Sequence, residues 1–325
     1  MSLFTVLLLF FLSFFATLLG VGTLLPVLKE RRMGQTILEI GPSWHKSKEG
    51  TPTMGGVAFF LSVSLSCLLG CLFLSSSETR VFLWVLVFAL LNGLIGVFDD
   101  AQKLRKRENA GLLPWQKLVL QTVSAVFLLA MLKMENAVST VLPIPFSSNT
   151  VQLGPLFYPL AVFVTVGVVN SANLTDGVDG LAAAVASLIG GFFAAEGLFS
   201  SIPSLAVLGA AKTGCGLGFF AFNRHPAKIF MGDSGSLFLG ALAVGGAFLL
   251  GSPFFVLFFG LVYVFEGFSV VLQVGYFKLT KKRLFKMAPF HHHLEKSSWS
   301  EEQIVSVLAF FTLCAILLTH VSFML

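Results

Sequence analysis

The chain has 325 residues, of which 56% are hydrophobic and only 11% are charged, and its mean hydropathy is +0.88. A soluble domain has roughly 45–50% apolar and about 25% charged residues, so the composition excludes a soluble domain and indicates an integral membrane protein. The net charge of +5 does not indicate nucleic-acid binding, because the basic residues lie beside apolar stretches, where they set membrane orientation.

Apolar stretches of about 20 residues, the length that a helix needs to cross a bilayer, recur along the whole chain. The weak alternation of a membrane β-barrel is absent, so we predict an all-α integral membrane protein with a single polytopic domain over residues 1–325. The first stretch is too long for a signal-peptide core and should be retained as a span. The ten predicted spans are 3–26, 54–75, 81–98, 117–133, 156–172, 181–199, 204–222, 234–250, 254–277 and 301–321.

Basic residues are concentrated in the connections on one side of these spans. The five connections on that side are 27–53, 99–116, 173–180, 223–233 and 278–300. Together with Lys117 they hold 18 of the 21 Lys and Arg residues. The positive-inside rule therefore predicts that this face is cytoplasmic and that both termini lie outside.

The ninth predicted span is interrupted by polar residues. Glu266 and Gln273 lie inside it, and Gly267 and Gly275 would permit a bend. We therefore predict a kinked or broken ninth helix.

Two other places depart from a plain bundle. Lys212 lies near the middle of the seventh span, where we expect a snorkelling or helix-facing side chain. The outer connection at about 134–155, with its prolines and its short Val- and Thr-rich runs, predicts a small hairpin.

The stretch from Asn170 to Leu181, NSANLTDGVDGL, places carboxylates and amides between long apolar runs. Ionisable groups at the edge of a bilayer are costly and usually functional, and its glycines would let the backbone bend around a ligand. We interpret this stretch as the floor of an active site.

A second acidic pair, Asp99 and Asp100, closes the third span, with Lys103 one turn later. Neighbouring helical residues point about 100° apart, so one carboxylate can contact a metal and the other a substrate proton. A merely solvated helix end would favour cations at this terminus.

A third acidic position, Asp233, lies in the segment FMGDSG immediately before the eighth span. An aspartate there can simply cap the helix. Beside other acids on the same face, a helix N-terminus is also suited to a phosphate and its Mg²⁺. Phe230 could offer a ring face to a planar base.

Two loops add further polar groups to this face. The segment PFHHHLE, 289–295, has three consecutive histidines, which cannot all face one metal from a regular helix and match no common zinc site. Phosphate contact or proton transfer fits them better, with a plain interfacial loop as the alternative. The segment KEGTPTMGG, 48–56, is not a P-loop; it either cradles an anion or simply begins a helix.

In this order the segments GTPTMGG, DDAQK, NLTDGVDGLA, FNRHPAKIFMGDSG and PFHHHLE resemble the phospho-MurNAc-pentapeptide translocases, a bacterial family of the polyprenyl-phosphate hexosamine-1-phosphate transferases. The resemblance covers nearly the whole chain. It implies a multi-pass enzyme of the bacterial cytoplasmic membrane that transfers phospho-MurNAc-pentapeptide from UDP-MurNAc-pentapeptide to undecaprenyl phosphate. The implied products are lipid I and UMP, and the implied cofactor is Mg²⁺. It also implies a homodimer in the lipid bilayer.

The resemblance also assigns roles to matching residues. Asp99 is the proposed base for the lipid phosphate with Asp100 beside it, Asp233 is the Mg²⁺ ligand, and His291 is essential for catalysis. The positions that match the uridine pocket are Lys48, Asp179, Asn223 and Phe230, the last of which stacks on uracil. The positions that match the rest of the polar cleft are Thr53, Lys103, Lys117, Asn170, Asn173, Asp176 and His292.

Alternatives remain at this point. The residues themselves permit either direct attack by the lipid phosphate or a two-step route through an aspartyl-phosphate enzyme. A GlcNAc-1-phosphate transferase acting on the same lipid is the nearest rival function. A non-enzymatic membrane transporter would also explain polar groups within a membrane.

Overall fold

The computed structural model describes residues 1–31, 48, 50–106, 111–144, 146–147 and 149–324. Parts of the predicted inner connections 27–53 and 99–116 therefore lie outside the described residues, as does Pro145 of the predicted hairpin.

The fold is a bundle of apolar helices. The helices are α1 (Leu3–Glu30), α2 (Val57–Gly70), α3 (Ser76–Lys106), α4 (Pro114–Met134), α5 (Phe157–Leu174), α6 (Leu181–Phe199), α7 (Pro203–Asn223), α8 (Gly232–Leu249), α9 (Val256–Phe259), α10 (Leu261–Thr280), α11 (Phe290–Glu295) and α12 (Glu301–Met324). Short 3-10 turns occupy Cys71–Phe73, Gly154–Leu156 and Pro253–Phe255. Among the described residues, nine helices are long and apolar enough to cross a membrane, and Val57–Phe73 forms a shorter apolar stretch. The prediction of an all-α membrane protein is confirmed.

The predicted hairpin is present between α4 and α5. Strands β1 (Val141–Pro143) and β2 (Thr150–Gln152) pair in antiparallel register, with Leu142 opposite Val151. Its residues are mostly exposed, so the hairpin covers little of the bundle.

Several helix boundaries differ from the predicted spans for local reasons. Helix α3 continues to Lys106, well past the predicted end at residue 98, so the acidic pair is helical. Helix α2 begins only at Val57, because the preceding backbone pairs with another loop: the N–H groups of Gly55 and Gly56 donate to the carbonyls of Phe230 and Met231.

The predicted ninth span is divided. Helix α9 ends at Phe259, Gly260 separates it from α10, and α10 then continues through Gly267 and Gly275. Glu266, which interrupts the apolar pattern of this span, is fully buried and faces the protein.

Helix α8 is the most completely buried long helix, and its small residues explain why. Glycine, alanine and serine let helix backbones approach closely inside a membrane, where packing replaces the hydrophobic driving force. A Cβ atom on Gly96 of α3 would lie 2.2 Å from the carbonyl oxygen of Asp233, and one on Gly56 would lie 2.2 Å from the Cα of Gly235. The start of α8 is therefore pressed against both α3 and the segment before α2.

Lys212 is helix-facing rather than snorkelling. Its side chain is fully buried in α7, and its Nζ donates to the carbonyl oxygen of Leu239 in α8 at 2.6 Å. The lysine thus occupies an α7–α8 contact and lies away from the clustered acids described below.

At one end of the bundle, here called the site end, polar side chains connect the ends of some helices with the starts of others. The end of α3 contacts the start of α8 through Asp100, and the start of α4 contacts it through Lys117. The end of α5 reaches the same place through Asn173, while Glu301 brings in the start of α12. The described parts of the predicted connections 99–116, 173–180 and 223–233 therefore meet at this end, together with the start of α12.

Substituting Gly96 by alanine should destabilise the protein, because the new methyl group would overlap the backbone of Asp233 and Ser234. Such overpacking typically lowers the free energy of unfolding by about 1–3 kcal/mol, so the melting temperature should fall by about 3 °C or more. Thermal unfolding of the detergent-solubilised protein measures this. Gly167→Ala is the matched control, because a Cβ there meets nothing within 4 Å. Equal melting temperatures for the two variants would contradict the close packing.

Candidate active site

The centre of the site end is a cluster of three carboxylates. Asp99 and Asp100 project from α3 and Asp233 from the first turn of α8, and one carboxylate oxygen from each lies within 4.8 Å of the other two. Asp99 and Asp100 are each only 3% exposed. Three acids this close cannot all remain charged without cations nearby.

Asp100 joins the two helices that carry this cluster. Its Oδ1 accepts the backbone N–H of Asp233 at 3.1 Å, and its Oδ2 accepts that of Ser234 at 3.0 Å. These are donors that a helix start leaves unpaired, so a carboxylate from α3 caps α8. Gly232, which precedes them, has a φ of +71° and would place a Cβ 2.5 Å from Asp100 Oδ2, so only glycine suits this position.

Two lysines compensate the carboxylates. Lys103 Nζ lies 2.6 Å from Asp99 Oδ2 and 3.2 Å from Asp233 Oδ2. Lys117 Nζ, from α4, lies 2.5 Å from Asp233 Oδ2. The cluster therefore carries three acids against two ammonium groups, which leaves room for additional positive charge.

Amide and carboxyl groups from the α5–α6 region complete this side. Asn173 Nδ2 donates to Asp233 Oδ1 at 3.0 Å and to Ser236 Oγ at 2.7 Å. Asp176 follows in the connection to α6 and retains partial exposure. Burial by the surrounding protein raises its pKa well above the ordinary value, and the nearby carboxylates of Asp233 and Asp100 raise it further. The predicted floor of the site therefore lies beside the acidic cluster.

His291 reaches the same region from α11. Its ring lies against Gly177, where an added Cβ would be 2.2 Å from Nε2. Glu266 of α10 accepts the His291 backbone N–H with both oxygens, at 3.2 and 3.3 Å. Glu266 Oε2 is also 3.2 Å from the ring Nδ1, but without hydrogen-bond geometry, and neither ring nitrogen has a hydrogen-bond partner among the described residues. The imidazole is thus held through its backbone, and both of its ring nitrogens are buried without a hydrogen-bond partner among the described residues.

A second polar cluster lies beside the first. Lys48 Nζ is 2.7 Å from both Asp179 Oδ1 and Glu301 Oε2. Asp179 Oδ2 accepts the backbone N–H of Ala227 at 2.9 Å and lies 3.2 Å from His225 Nδ1. The Lys48 ammonium thus lies between the two carboxylates of this cluster.

The loop between α7 and α8 forms the adjoining wall. Asn223 is buried, accepts the Gly180 N–H through Oδ1 and donates to the carbonyl of Ile229. The N–H of Phe230 donates to the carbonyl of Pro52 at 2.8 Å, and the Thr53 hydroxyl lies beside Gly232. The predicted residues Thr53, Asn223 and Phe230 therefore lie in contact with the same loop.

Two predicted residues lie at the margin. Asn170, one turn before Asn173, donates to Gln121 Oε1 at 2.7 Å and to the carbonyl of Val166, so its amide turns into the bundle. His292 Nδ1 lies 2.5 Å from Glu295 Oε2 within α11, beside the His291 ring. Neither makes a described hydrogen bond to the carboxylates of the acidic cluster.

Sequence reasoning missed three polar residues of the site. Glu301 lies at the start of an apolar span and is not singled out by the sequence, and Glu266 is identified there only as an interruption of a span. His225 lay inside a quoted motif, but nothing in the spacing singled it out. Acidic residues within or next to apolar spans were the one signal that pointed to the first two.

The acidic cluster suits a divalent cation. Asp99 Oδ2 is buried and accepts no hydrogen bond of regular geometry from the described residues, although Lys103 is close. Clustered carboxylate oxygens are the ligands that Mg²⁺ prefers. The grouping of Asp179, His225 and Glu301 has similar spacing, but its carboxylate oxygens already accept hydrogen bonds from the Lys48 ammonium and from the backbone N–H groups of Asp179 and Ala227.

Comparison with known proteins defines the class of this chain. The profile of glycosyl transferase family 4 matches residues 82–251, and a phospho-N-acetylmuramoyl-pentapeptide-transferase signature matches residues 48–60. The chain is thus a membrane-embedded phosphoglycosyl transferase whose family region includes all three clustered carboxylates.

Relatives identify the family more closely. The chain is 40% identical to a phospho-N-acetylmuramoyl-pentapeptide-transferase of Caldanaerobacter subterraneus subsp. tengcongensis over 96% of each chain. It is 41% identical to one of Thermoanaerobacter sp. (strain X514) over 92% of each, and 40% identical to one of Carboxydothermus hydrogenoformans over 94% of this chain and 95% of the relative. The chain belongs to the phospho-N-acetylmuramoyl-pentapeptide-transferase family.

Substituting Glu266 by glutamine should lower turnover more than it changes substrate affinity. The amide has one acceptor oxygen and would direct an NH₂ group at the N–H or the ring of His291. We expect kcat to fall about tenfold or more, with KM within twofold. Steady-state kinetics of the transferase reaction measure both.

Glu135→Gln is the matched control for this substitution, because Glu135 pairs with Arg80 at the opposite end of α4 from Lys117. An unchanged kcat in Glu266→Gln would show that Glu266 does not hold His291 for the reaction.

Proposed function

We propose that this protein transfers phospho-MurNAc-pentapeptide from UDP-MurNAc-pentapeptide to undecaprenyl phosphate, which forms lipid I and releases UMP. The single observation that carries the proposal is the convergence of Asp99, Asp100 and Asp233 with Lys103 and Lys117 at one end of a membrane bundle. The names of the relatives and the family signature support the sugar-peptide substrate.

The proposed reaction joins two phosphates. An oxygen of the lipid phosphate attacks the phosphorus that carries the sugar, a new P–O bond forms, and the bond to the bridging oxygen breaks. UMP leaves with that oxygen and the electron pair. Such a transfer requires neutralised charge and alignment more than covalent chemistry, which ammonium groups and carboxylate-bound cations supply.

The environment of Asp99 supports direct attack. Its Oδ1 accepts the N–H of Leu112 at 2.9 Å, and its Oδ2 lies beside the Lys103 ammonium. An aspartate held in this way is a poor nucleophile compared with a free carboxylate. The lipid phosphate is largely ionised near neutral pH, because the second pKa of a phosphate monoester is about 6. We assign to Asp99 the role of accepting any proton that remains on this phosphate.

The acidic cluster is the proposed Mg²⁺ site. Asp233 would hold the ion, with Asp99 and Asp100 within reach, and Asn173 and the two lysines keep the Asp233 carboxylate in place. When bound, Mg²⁺ would supply charge neutralisation for the phosphoryl oxygens. His291, with its unpaired ring nitrogens, would donate a hydrogen bond to a phosphate oxygen at the edge of this cluster.

The second cluster is the proposed nucleoside end of the cleft. Asn223 and Phe230 would form one wall of it, and Lys48 and Asp179, which are bonded to each other, would form the other. We assign Phe230 to stack on uracil, because its backbone is fixed by Pro52 while its half-buried side chain has a face to offer. Thr53, Asp176 and His292 would line the sugar part between the clusters.

The proposed topology has ten spans with both termini outside. The stretch Val57–Phe73, although short, would be the second span and bring the total to ten, and α9 with α10 would form the interrupted ninth. The site end would then face the cytoplasm, as the excess of Lys and Arg supports. The resemblance to the family supports a homodimer in the bacterial cytoplasmic membrane.

The decisive test is UMP release by the purified protein with undecaprenyl phosphate and two sugar nucleotides in parallel. We expect release with UDP-MurNAc-pentapeptide and at least about a hundredfold slower release with UDP-GlcNAc. Chelation with EDTA should abolish release, and excess Mg²⁺ should restore it. Faster reaction with UDP-GlcNAc would identify a GlcNAc-1-phosphate transferase, and no release from either would favour a transporter.

Substituting Asp233 by asparagine should lower UMP release about a hundredfold or more, because the cluster loses the carboxylate that three neighbouring groups hold in place. The residual rate should require more Mg²⁺ for half-saturation. Rates measured over a Mg²⁺ series, with Glu78→Gln at the start of α3 as the control, report both effects. A wild-type rate in Asp233→Asn would remove the metal assignment.

A further inference from the structure

Glu301, the first residue of α12, holds the second cluster together. Its Oε2 accepts from Lys48 Nζ at 2.7 Å and from the backbone N–H of Asp179 at 2.9 Å. Its Oε1 lies 3.4 Å from His225 Nδ1. One carboxylate therefore contacts residue 48, the α5–α6 connection and the α7–α8 connection at once.

These contacts exceed what a helix start requires. An acidic residue in a first turn interacts favourably with the helix dipole, and both Glu301 and Glu302 occupy that turn. Glu302 is exposed, whereas the Glu301 side chain is only 14% exposed and points into the cluster. The helix alone therefore does not explain the position of Glu301.

Lys48 depends on this carboxylate for its position. A lysine side chain loses up to about 2 kcal/mol of rotamer entropy when it is fixed, so a single ion pair gives it little definition. Here Asp179 and Glu301 hold the ammonium from two directions, and their side chains are 3% and 14% exposed. Glu301 also holds the backbone of Asp179, so it positions both partners.

The charges indicate which part of a substrate this cluster contacts. Two carboxylates already neutralise the Lys48 ammonium, so the cluster has no excess positive charge with which to attract a phosphate. A neutral group with carbonyl and hydroxyl oxygens, such as a uracil base with its ribose, fits an ammonium donor held in this way.

We propose that Glu301 is a positioning residue for the uridine part of the sugar nucleotide and acts through Lys48 and the Asp179 backbone. This inference rests on the proposed function, which supplies the nucleotide. Glu301 sets the affinity for the nucleoside and leaves the phosphoryl-transfer step to the acidic cluster.

The experiment compares wild type, Glu301→Gln and Glu302→Gln in two measurements. Calorimetry measures the Kd of UMP, and steady-state kinetics measure kcat and the two KM values. For Glu301→Gln we expect about a tenfold higher Kd for UMP and a similar rise in the sugar-nucleotide KM. The kcat and the lipid KM should stay within twofold, and Glu302→Gln should match wild type throughout.

A double-substitution cycle separates positioning from general stability. If Glu301 acts through Lys48, Glu301→Gln should change the UMP Kd less than twofold when Lys48 is already methionine. An undiminished effect in that background would overturn the proposal, as would an unchanged UMP Kd or a fall in kcat alone. If Glu301→Gln does not yield a monodisperse protein, Glu301→Asp tests the same point, because the shorter side chain cannot span both partners.

Failure of the proposed function would look different. A wild-type protein that binds UMP but releases none from UDP-MurNAc-pentapeptide would contradict the transferase reaction. The UMP Kd values of the variants would still decide the role of Glu301.

Discussion

The contact between Asp100 and the start of α8 is the interaction on which the site depends. One carboxylate from α3 accepts the backbone N–H groups of Asp233 and Ser234, which the helix itself leaves unpaired. Inside an apolar bundle an unpaired N–H is costly, so the two helices are joined where their polar ends meet. Close packing at Gly96 brings the backbones near enough for that bond. These backbone contacts bring Asp233 beside Asp99 although the two like charges repel each other.

Charge balance explains the rest of the acidic cluster. Three carboxylates of like charge repel one another, and removing an ion from water costs on the order of several kcal/mol. Lys103 and Lys117 offset most of this, and each comes from a different helix. The remaining negative charge would favour a divalent cation here, as the proposed Mg²⁺ site requires. A site of this kind binds phosphates well once the cation is present, since the protein alone would repel them.

The two polar clusters differ in how their carboxylates are satisfied. In the acidic cluster three carboxylates face two ammonium groups, and Asp99 Oδ2 accepts no hydrogen bond of regular geometry from the described residues. In the cluster of Lys48, Asp179 and Glu301, both carboxylates already accept N–H hydrogen bonds. In the proposed reaction the phosphates of the sugar nucleotide would lie at the acidic cluster and its base at the second cluster. His291, held through Glu266 of α10, lies against Gly177 in the α5–α6 connection. The site therefore draws on nearly every helix end on this side of the bundle.

The sequence by itself determined the class of fold and most of the site. Long apolar stretches can only be helices in a bilayer, and the acids, amides and histidines between them stood out against that background. Alternating spans also placed these residues on one side, and the structure brings Asp99, Asp100, Asp233 and Asn173 together as that pattern implied.

Only the tertiary structure decided the partners. Glu301 and Glu266 are separated from Lys48 and His291 by connections and spans whose packing no local pattern encodes, and a glutamate at a helix start has an adequate local explanation. The same holds for Lys212, whose burial depends on the Leu239 carbonyl of a neighbouring helix. Composition and periodicity are properties of a single segment. A hydrogen bond between two segments depends instead on how closely their backbones approach each other. That approach is set by tertiary contacts such as the one at Gly96.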